Sequence, residues 1–168
     1  MLDPIDHAGR TVKAARLPDA QVVGELWLRL AEETVRWHGS FRLAPDAGRL
    51  LAERVRDDLW DPTEDELYLL ATDREREDAP VGFAAARVIE ADPIFEDSLR
   101  CVLEGIWVAP EARRSGLGRV MLDAVARWCA GRGAKWIQAQ VAEANAAGRA
   151  FFGAAGLEGI AVVITRRL

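Results

Sequence analysis

The chain has little of several things that would direct its function elsewhere. Cysteine occurs only twice in 168 residues, at Cys101 and Cys129, with no spacing typical of a zinc or redox centre. The pair reads as buried free thiols of a reducing compartment, and no metal is expected. No apolar run reaches the length of a membrane span. The first residues, with Asp3, Asp6 and His7, lack the apolar stretch of a secretory signal. A cytoplasmic location with no membrane partner is therefore expected. Basic residues are in deficit: 22 Lys and Arg against 27 Asp and Glu leave a net charge of -5. That argues against a nucleic-acid partner, and it suits either a cationic amine substrate or an ordinary soluble surface. No Gly-Lys-Ser/Thr is present for a Walker loop, and no Gly-x-Gly-x-x-Gly follows a strand. Repeats, low-complexity tracts and linkers are also missing. What remains is one domain over residues 10–168, after a loose tail at 1–9.

The most informative stretch runs from Leu103 to Gly118 and reads LEGIWVAPEARRSGLG. Alternation and β-branching predict a strand over Cys101–Ala109, then a sharp turn at Pro110. Val102, Glu104, Ile106 and Val108 are expected on one face, with Leu103, Gly105 and Trp107 on the other. Arg113, Gly116 and Gly118 form Arg-x-x-Gly-x-Gly, and an amphipathic helix follows over Gly116–Gly131. Glycines let the backbone approach a ligand and turn its N–H groups inward. The helix adds its positive end, and Arg113, Arg114 and Arg119 add cations. Such a loop suits a pyrophosphate.

Elsewhere, hydrophobic periodicity predicts a strand over Thr11–Arg16, a helix over Gln21–Trp37 and a second helix around Leu50–Leu59. A hairpin of Glu66–Thr72 and Val81–Glu90 follows, with Leu67, Leu69 and Ala71 opposite Tyr68 and Leu70. Ala91–Arg100 is an acidic connection, read either as a flap over the acceptor site or as a solvated loop. Lys135–Val141 is a strand, parallel to Cys101–Ala109 through the helical crossover. Asn145–Ala155 is a short helix, and Leu157–Thr165 is a last strand rich in Ile and Val. A homodimer through that last strand would cover an edge that otherwise lies open. The fold class is α+β: a central mixed, mostly antiparallel sheet flanked by about four helices.

The stretch around Arg113–Gly118 resembles motif A of the GCN5-related N-acetyltransferases (GNAT), and the resemblance spans most of the chain. It implies an acyl-CoA N-acyltransferase fold with one splayed parallel strand pair. It also implies acetyl-CoA as co-substrate and direct attack by a primary amine in a ternary complex. Ile106, Trp107 and Val108 would hold the pantetheine arm through their main chain. Arg113, Arg114, Ser115, Gly116, Leu117, Gly118 and Arg119 would hold the pyrophosphate. Asn145 would bond the pantetheine amides, serve as a helix N-cap, or both.

Glu104 is the candidate base, because an alkyl amine with a pKa of about 10.4 is almost wholly protonated near neutral pH. Its alternative role is as structural partner of an arginine such as Arg87. Phe152 stands where the family usually has a tyrosine that protonates the leaving thiolate, so it cannot act as that acid. A thiol with a pKa near 8.5 leaves acceptably unaided, so activity is expected to survive. Trp37, His38, Phe41 and Trp60 are candidate walls of the acceptor cleft, or packing aromatics. The stretch LEGIWVAPEARRSG and the ending GLEGIAVVITRRL are similar to aminoglycoside 6′-N-acetyltransferases. A protein N-acetyltransferase and a degenerate acyl-CoA-binding module without turnover are the alternatives.

Overall fold

In a computed structural model, residues 2–92, 94 and 96–166 are described. Six strands form one sheet in the order β1-β2-β3-β4-β5-β6. They are β1 (Ile5–His7), β2 (Arg10–Ala14), β3 (Glu66–Asp73), β4 (Ala79–Glu90), β5 (Leu99–Val108) and β6 (Trp136–Ala139). Every neighbouring pair is antiparallel except β5 and β6. Helices α1 (Ala20–Thr34) and α2 (Ala47–Trp60) cover one face, while α3 (Leu117–Ala130) and α4 (Ala146–Ala154) cover the other. This is the expected mixed α/β class.

The helices define two cores. On the α3 side, Leu67, Leu69 and Ala71 of β3 meet Leu117, Met121, Val125 and Trp128. On the α1–α2 side, Tyr68 and Leu70 meet Val23, Trp27, Val55 and Phe83. Strand β3 is thus buried on both faces, as its nearly unbroken apolar run requires. Burial of each large side chain contributes about 1.5–3 kcal/mol. Helices α1 and α2 touch closely at Gly24, where a Cβ would come within 2.7 Å of the Ala52 Cα.

Four expectations need correction. Residues 5–7 are not loose: Ile5–His7 pair with β2 as an antiparallel ribbon. The cysteines are not free thiols; Cys101 on β5 and Cys129 on α3 are joined as a disulfide. Strand and helix bring their Cα atoms to 5.8 Å despite 28 residues of separation, a proximity no local spacing announces. No strand forms over Leu157–Thr165, because backbone without a hydrogen-bonding neighbour is not a strand, and residues 160–164 are exposed.

The fourth is one of the two readings of the connection from Ala91 to Arg100, the flap over the acceptor site; the solvated-loop reading is not affected. Pro93 and Phe95 lie outside its described residues. The remainder is closed by Ala91 N–H donating to Ser98 O and is tied to Lys135 through Asp97. It sits at the start of β5, at the opposite end of that strand from Trp107, and so does not overhang the site described below.

Tyr68 is the protein's only tyrosine. It is 4% exposed, and its hydroxyl donates to Asp58. Burial first, and then this carboxylate, raise its pKa well above the ordinary value. The phenol is stabilised relative to the unfolded chain. That stabilisation is complete below the unfolded pKa of about 10 and is lost as pH rises towards the folded value. Phenolate absorbance near 295 nm is therefore expected to stay absent at pH 11 in the folded protein, and to appear there only on unfolding.

Candidate active site

The site begins with a defect in β5. Ala85 lies opposite Gly105 and Ala86 opposite Leu103, so Glu104 is the extra residue of a bulge. The bulge reverses the alternation. Leu103, Ile106 and Val108 pack towards α3. Glu104 meets Arg54 of α2 and Gly105 faces Leu30 of α1. Glu104 therefore does not share a face with Ile106 and Val108, contrary to a simple period-two reading.

Beyond the bulge the parallel pair opens. β6 pairs with β5 only from Arg100 opposite Trp136 to Leu103 opposite Ala139. β5 continues to Val108 with β4 on its other side. The main chain of 104–108 therefore has no strand beside it on the β6 edge. An extended ligand with amide groups can bond there as a strand would.

Next to this opening lies the loop. Arg114 has φ 63° and Gly116 φ 85°, both in the left-handed region, and α3 begins at Leu117. These turns point successive amides in one direction. Among the described residues, no protein acceptor lies against the N–H groups of residues 114–119. The loop is braced from behind instead. Ser115 Oγ donates to Ala112 O, and His7 Nε2 lies 2.7 Å from Ser115 O. A Cβ on Gly116 would sit 3.0 Å from the same His7 nitrogen. His7→Ala should raise KM for acetyl-CoA about 3–10-fold, the worth of one ordinary hydrogen bond, with kcat unchanged. Steady-state kinetics check this, and His7→Gln should recover most of the loss.

The arginines divide. Arg113 Nε donates to Val108 O at 2.9 Å and Nη2 to Glu33 at 2.7 Å, so it latches the loop to β5 and α1. Arg119 is held by Asp123 and Ala154 O. Arg114 is exposed and has no ion pair among the described residues. Of the three expected phosphate cations, it is the one left uncommitted. Leu117 points into the core and contributes only main chain.

Helix α4 closes the other side of the opening. Asn145 Oδ1 accepts from Gly148 N at 2.9 Å, which caps the helix. A Cβ at Gly148 would lie 2.7 Å from Asn145 Nδ2, so a side chain there would have to displace the capping amide. Phe151 and Phe152 stack edge-on with centroids 5.1 Å apart, and both pack on the α3 core. Phe151 also abuts Gly118.

On the α1–α2 face, Glu104 is gripped by two cations. Arg54 Nη2 donates to Oε2 at 2.7 Å, and Arg87 Nε stands 3.1 Å from Oε1. Glu33, whose role the sequence did not reveal, lies at the end of α1. Its Oε1 accepts from both Trp107 Nε1 and Arg113 Nη2, while Oε2 makes no hydrogen bond among the described residues. Only its reach across 74 and 80 residues marks it out, and no local motif carries that information. Trp37, His38 and Phe41 follow α1 and are exposed near this end. His38 packs edge-on against Phe41, and Ser40 N donates to its Nδ1. Trp60 is not with them. Leu28 meets Gly48 and Gly24 meets Ala52, so the helices run in opposite directions and Trp60 lies at the far end. None of the four aromatics is in the core.

Among the described residues no group of three His, Cys, Asp or Glu side chains converges as a metal site. Among the described residues no helix is long and apolar enough to cross a membrane.

Nearly the whole chain aligns with solved structures of the same architecture. A tetramutant of the BH1408 protein from Bacillus halodurans superposes with a TM-score of 0.79 at 16% identity, over 94% of this chain and 99% of that one. A predicted acetyltransferase from Clostridium acetobutylicum, solved with acetyl-CoA, gives 0.74 at 13% identity over 94% and 96%. AAC(6′)-Iy, solved with the bisubstrate analog CoA-S-monomethyl-acetylneamine, gives 0.71 at 21% identity over 96% and 99%. No curated protein matches the chain significantly. The sequence profile of the acetyltransferase (GNAT) family matches residues 27–157, most of the chain. With its bulged β5, open parallel pair and glycine-turned loop, this protein belongs to the GNAT family of acetyltransferases.

Proposed function

We propose that this protein transfers the acetyl group of acetyl-CoA to a primary amine of a small molecule, by direct attack in a ternary complex. The observation that carries the reading is the opening of β5 from β6 beside six amides, 114–119, without protein acceptors. Acetyl-CoA supplies an activated acyl group and a thiolate leaving group. The amides of the loop, with Arg114, hold its pyrophosphate. The free edge of Ile106–Val108 holds the pantetheine arm and turns a backbone N–H towards the thioester oxygen, where charge builds during transfer.

Glu33 binds the acceptor. Its carboxylate stands beside Trp107 at the end of β5, with one oxygen uncommitted. An ammonium group brought there would first give a proton to the free carboxylate oxygen, directly or through water, and the neutral nitrogen would then attack the acyl carbon as the CoA thiolate leaves. Glu104 has the other role weighed for it: both of its oxygens face guanidinium groups, which supports structural pairing over proton abstraction. Glu33→Gln should raise KM for a cationic amine about 10–100-fold, the loss of one charge-assisted contact. The KM for acetyl-CoA should move much less, as initial rates against each substrate will reveal.

The acceptor class is tested by thiol release from acetyl-CoA against aminoglycosides, polyamines, free lysine and peptides. Turnover on an aminoglycoside or polyamine supports the small-molecule reading. Turnover on peptides alone would make this a protein acetyltransferase. The similarity to AAC(6′)-Iy supports trying aminoglycosides first. Phe152 favours one other reading, an acyl-CoA-binding module that has lost chemistry. Tight CoA binding with no thiol released on any amine would establish it.

A further inference from the structure

The disulfide lies at the end of the molecule remote from the candidate site. β5 begins beside Cys101 and ends next to the glycine-turned loop, while α3 begins at that loop and ends beside Cys129. The bond therefore ties strand to helix where the parallel pair is closed, and both cysteines sit in the α3 core.

The two sulfurs are not equally placed. Cys101 is fully buried, at 0% exposure. Cys129 is 3% exposed and lines a groove of about 130 Å³, together with Ala126, Ala130, Trp136 and Ile137. Trp136 is 57% exposed, so the groove meets solvent at β6. Exchange needs a thiolate to reach one sulfur of the bond, and access decides which. A bond sealed on both sides is inert, whereas this one presents Cys129 to the groove.

We propose that Cys101–Cys129 is a reversible redox site, opened by a small dithiol that enters the groove and closed again by the oxidised form of that dithiol. One thiolate of the dithiol attacks Cys129 Sγ. The S–S bond breaks, and Cys101 leaves and takes up a proton. The second thiol then attacks the dithiol's own sulfur in the mixed disulfide, which forms a cyclic disulfide and releases Cys129 as a thiol. Two electrons and two protons pass from the dithiol to the protein. A monothiol stalls at the first step, because Cys101 is held against the mixed disulfide and displaces it.

Opening the bond removes a cross-link between residues 28 positions apart, and with it a restraint on the unfolded chain. It leaves two small apolar side chains in a core that still packs around them. The fold therefore persists while its stability follows the redox state. The site needs no acetyl-CoA, and the proposal is independent of the acetyl-transfer reading.

The chain purified without reductant and then denatured should show no free thiol, and both cysteines should be free once dithiothreitol has been applied to the folded protein. Reduction should lower Tm by about 5–15 °C and leave the circular-dichroism spectrum at room temperature unchanged. Transfer into oxidised dithiothreitol should restore Tm. 2-Mercaptoethanol at the same thiol concentration should leave most of the bond closed. In Cys129→Ala, dithiothreitol should not move Tm, and Cys101 should resist N-ethylmaleimide in the folded state. In Cys101→Ala, Cys129 should react with it. Free thiols in the wild type before reduction would overturn the proposal. So would a bond that resists dithiothreitol until the chain unfolds, loss of the fold on reduction, or a reactive Cys101 beside an inert Cys129.

Discussion

Gly116→Val is expected to weaken acetyl-CoA binding by about 100-fold or more and to leave the fold intact. Gly116 has φ 85°, a conformation that costs an L residue about 1–2 kcal/mol and is an outlier for a β-branched one. Its new Cβ would also press on His7 Nε2 at 3.0 Å. The strain is relieved only by moving the loop, and moving the loop turns its amides away from a common point. Each amide–phosphate bond lost is worth about 1.5–3 kcal/mol, so two misaligned amides suffice for the stated effect. Calorimetric titration with CoA measures it, with circular dichroism as control. The position is at the surface end of α3, so the cores on either side of the sheet keep their contacts. An unchanged affinity would remove the loop from the binding site.

Glu104→Gln is expected to act on stability more than on chemistry. The carboxylate balances Arg54 and Arg87 at 2.7 and 3.1 Å, with its side chain 21% exposed. Removing its charge leaves two partly buried guanidinium groups facing a neutral amide. The cost lies between that of a surface pair, about 0–1 kcal/mol, and that of a broken buried pair, about 3–5 kcal/mol. A loss of about 2 kcal/mol lowers Tm by roughly 4–8 °C in a chain of this size. Calorimetry reads that shift. On the proposed reading, in which Glu104 pairs with the two arginines and Glu33 faces the acceptor, the pH–rate profile should keep its shape. A profile whose acidic limb disappears would instead make Glu104 the base.

The parts of the site legible in the sequence are those encoded within a few residues. The glycine-bearing loop before α3, the helix it feeds and the cap at Asn145 each follow from local chemistry, and each stands where the letters put it. The face assignment of β5 failed after Glu104, because one inserted residue in the ladder reverses every side chain beyond it and leaves no mark in composition. The Cys101–Cys129 bond, the His7 brace and the Glu33 contacts join residues 28 to 108 positions apart. Proximity of that kind is created by the fold, and a single sequence holds no trace of it. The strand expected over Leu157–Thr165 does not form: its composition suits a strand, but no backbone among the described residues pairs with it.

The grip of the loop on a diphosphate is tested most directly by amide resonances. In ¹H–¹⁵N spectra, the N–H groups of residues 114–119 should shift strongly on adding CoA and hardly at all on adding pantetheine, which lacks the pyrophosphate. The amides of 106–108 should respond to both. Shifts that leave 114–119 untouched by CoA, or that gather on another face of the sheet, would contradict the placement of the nucleotide and with it the proposed reaction.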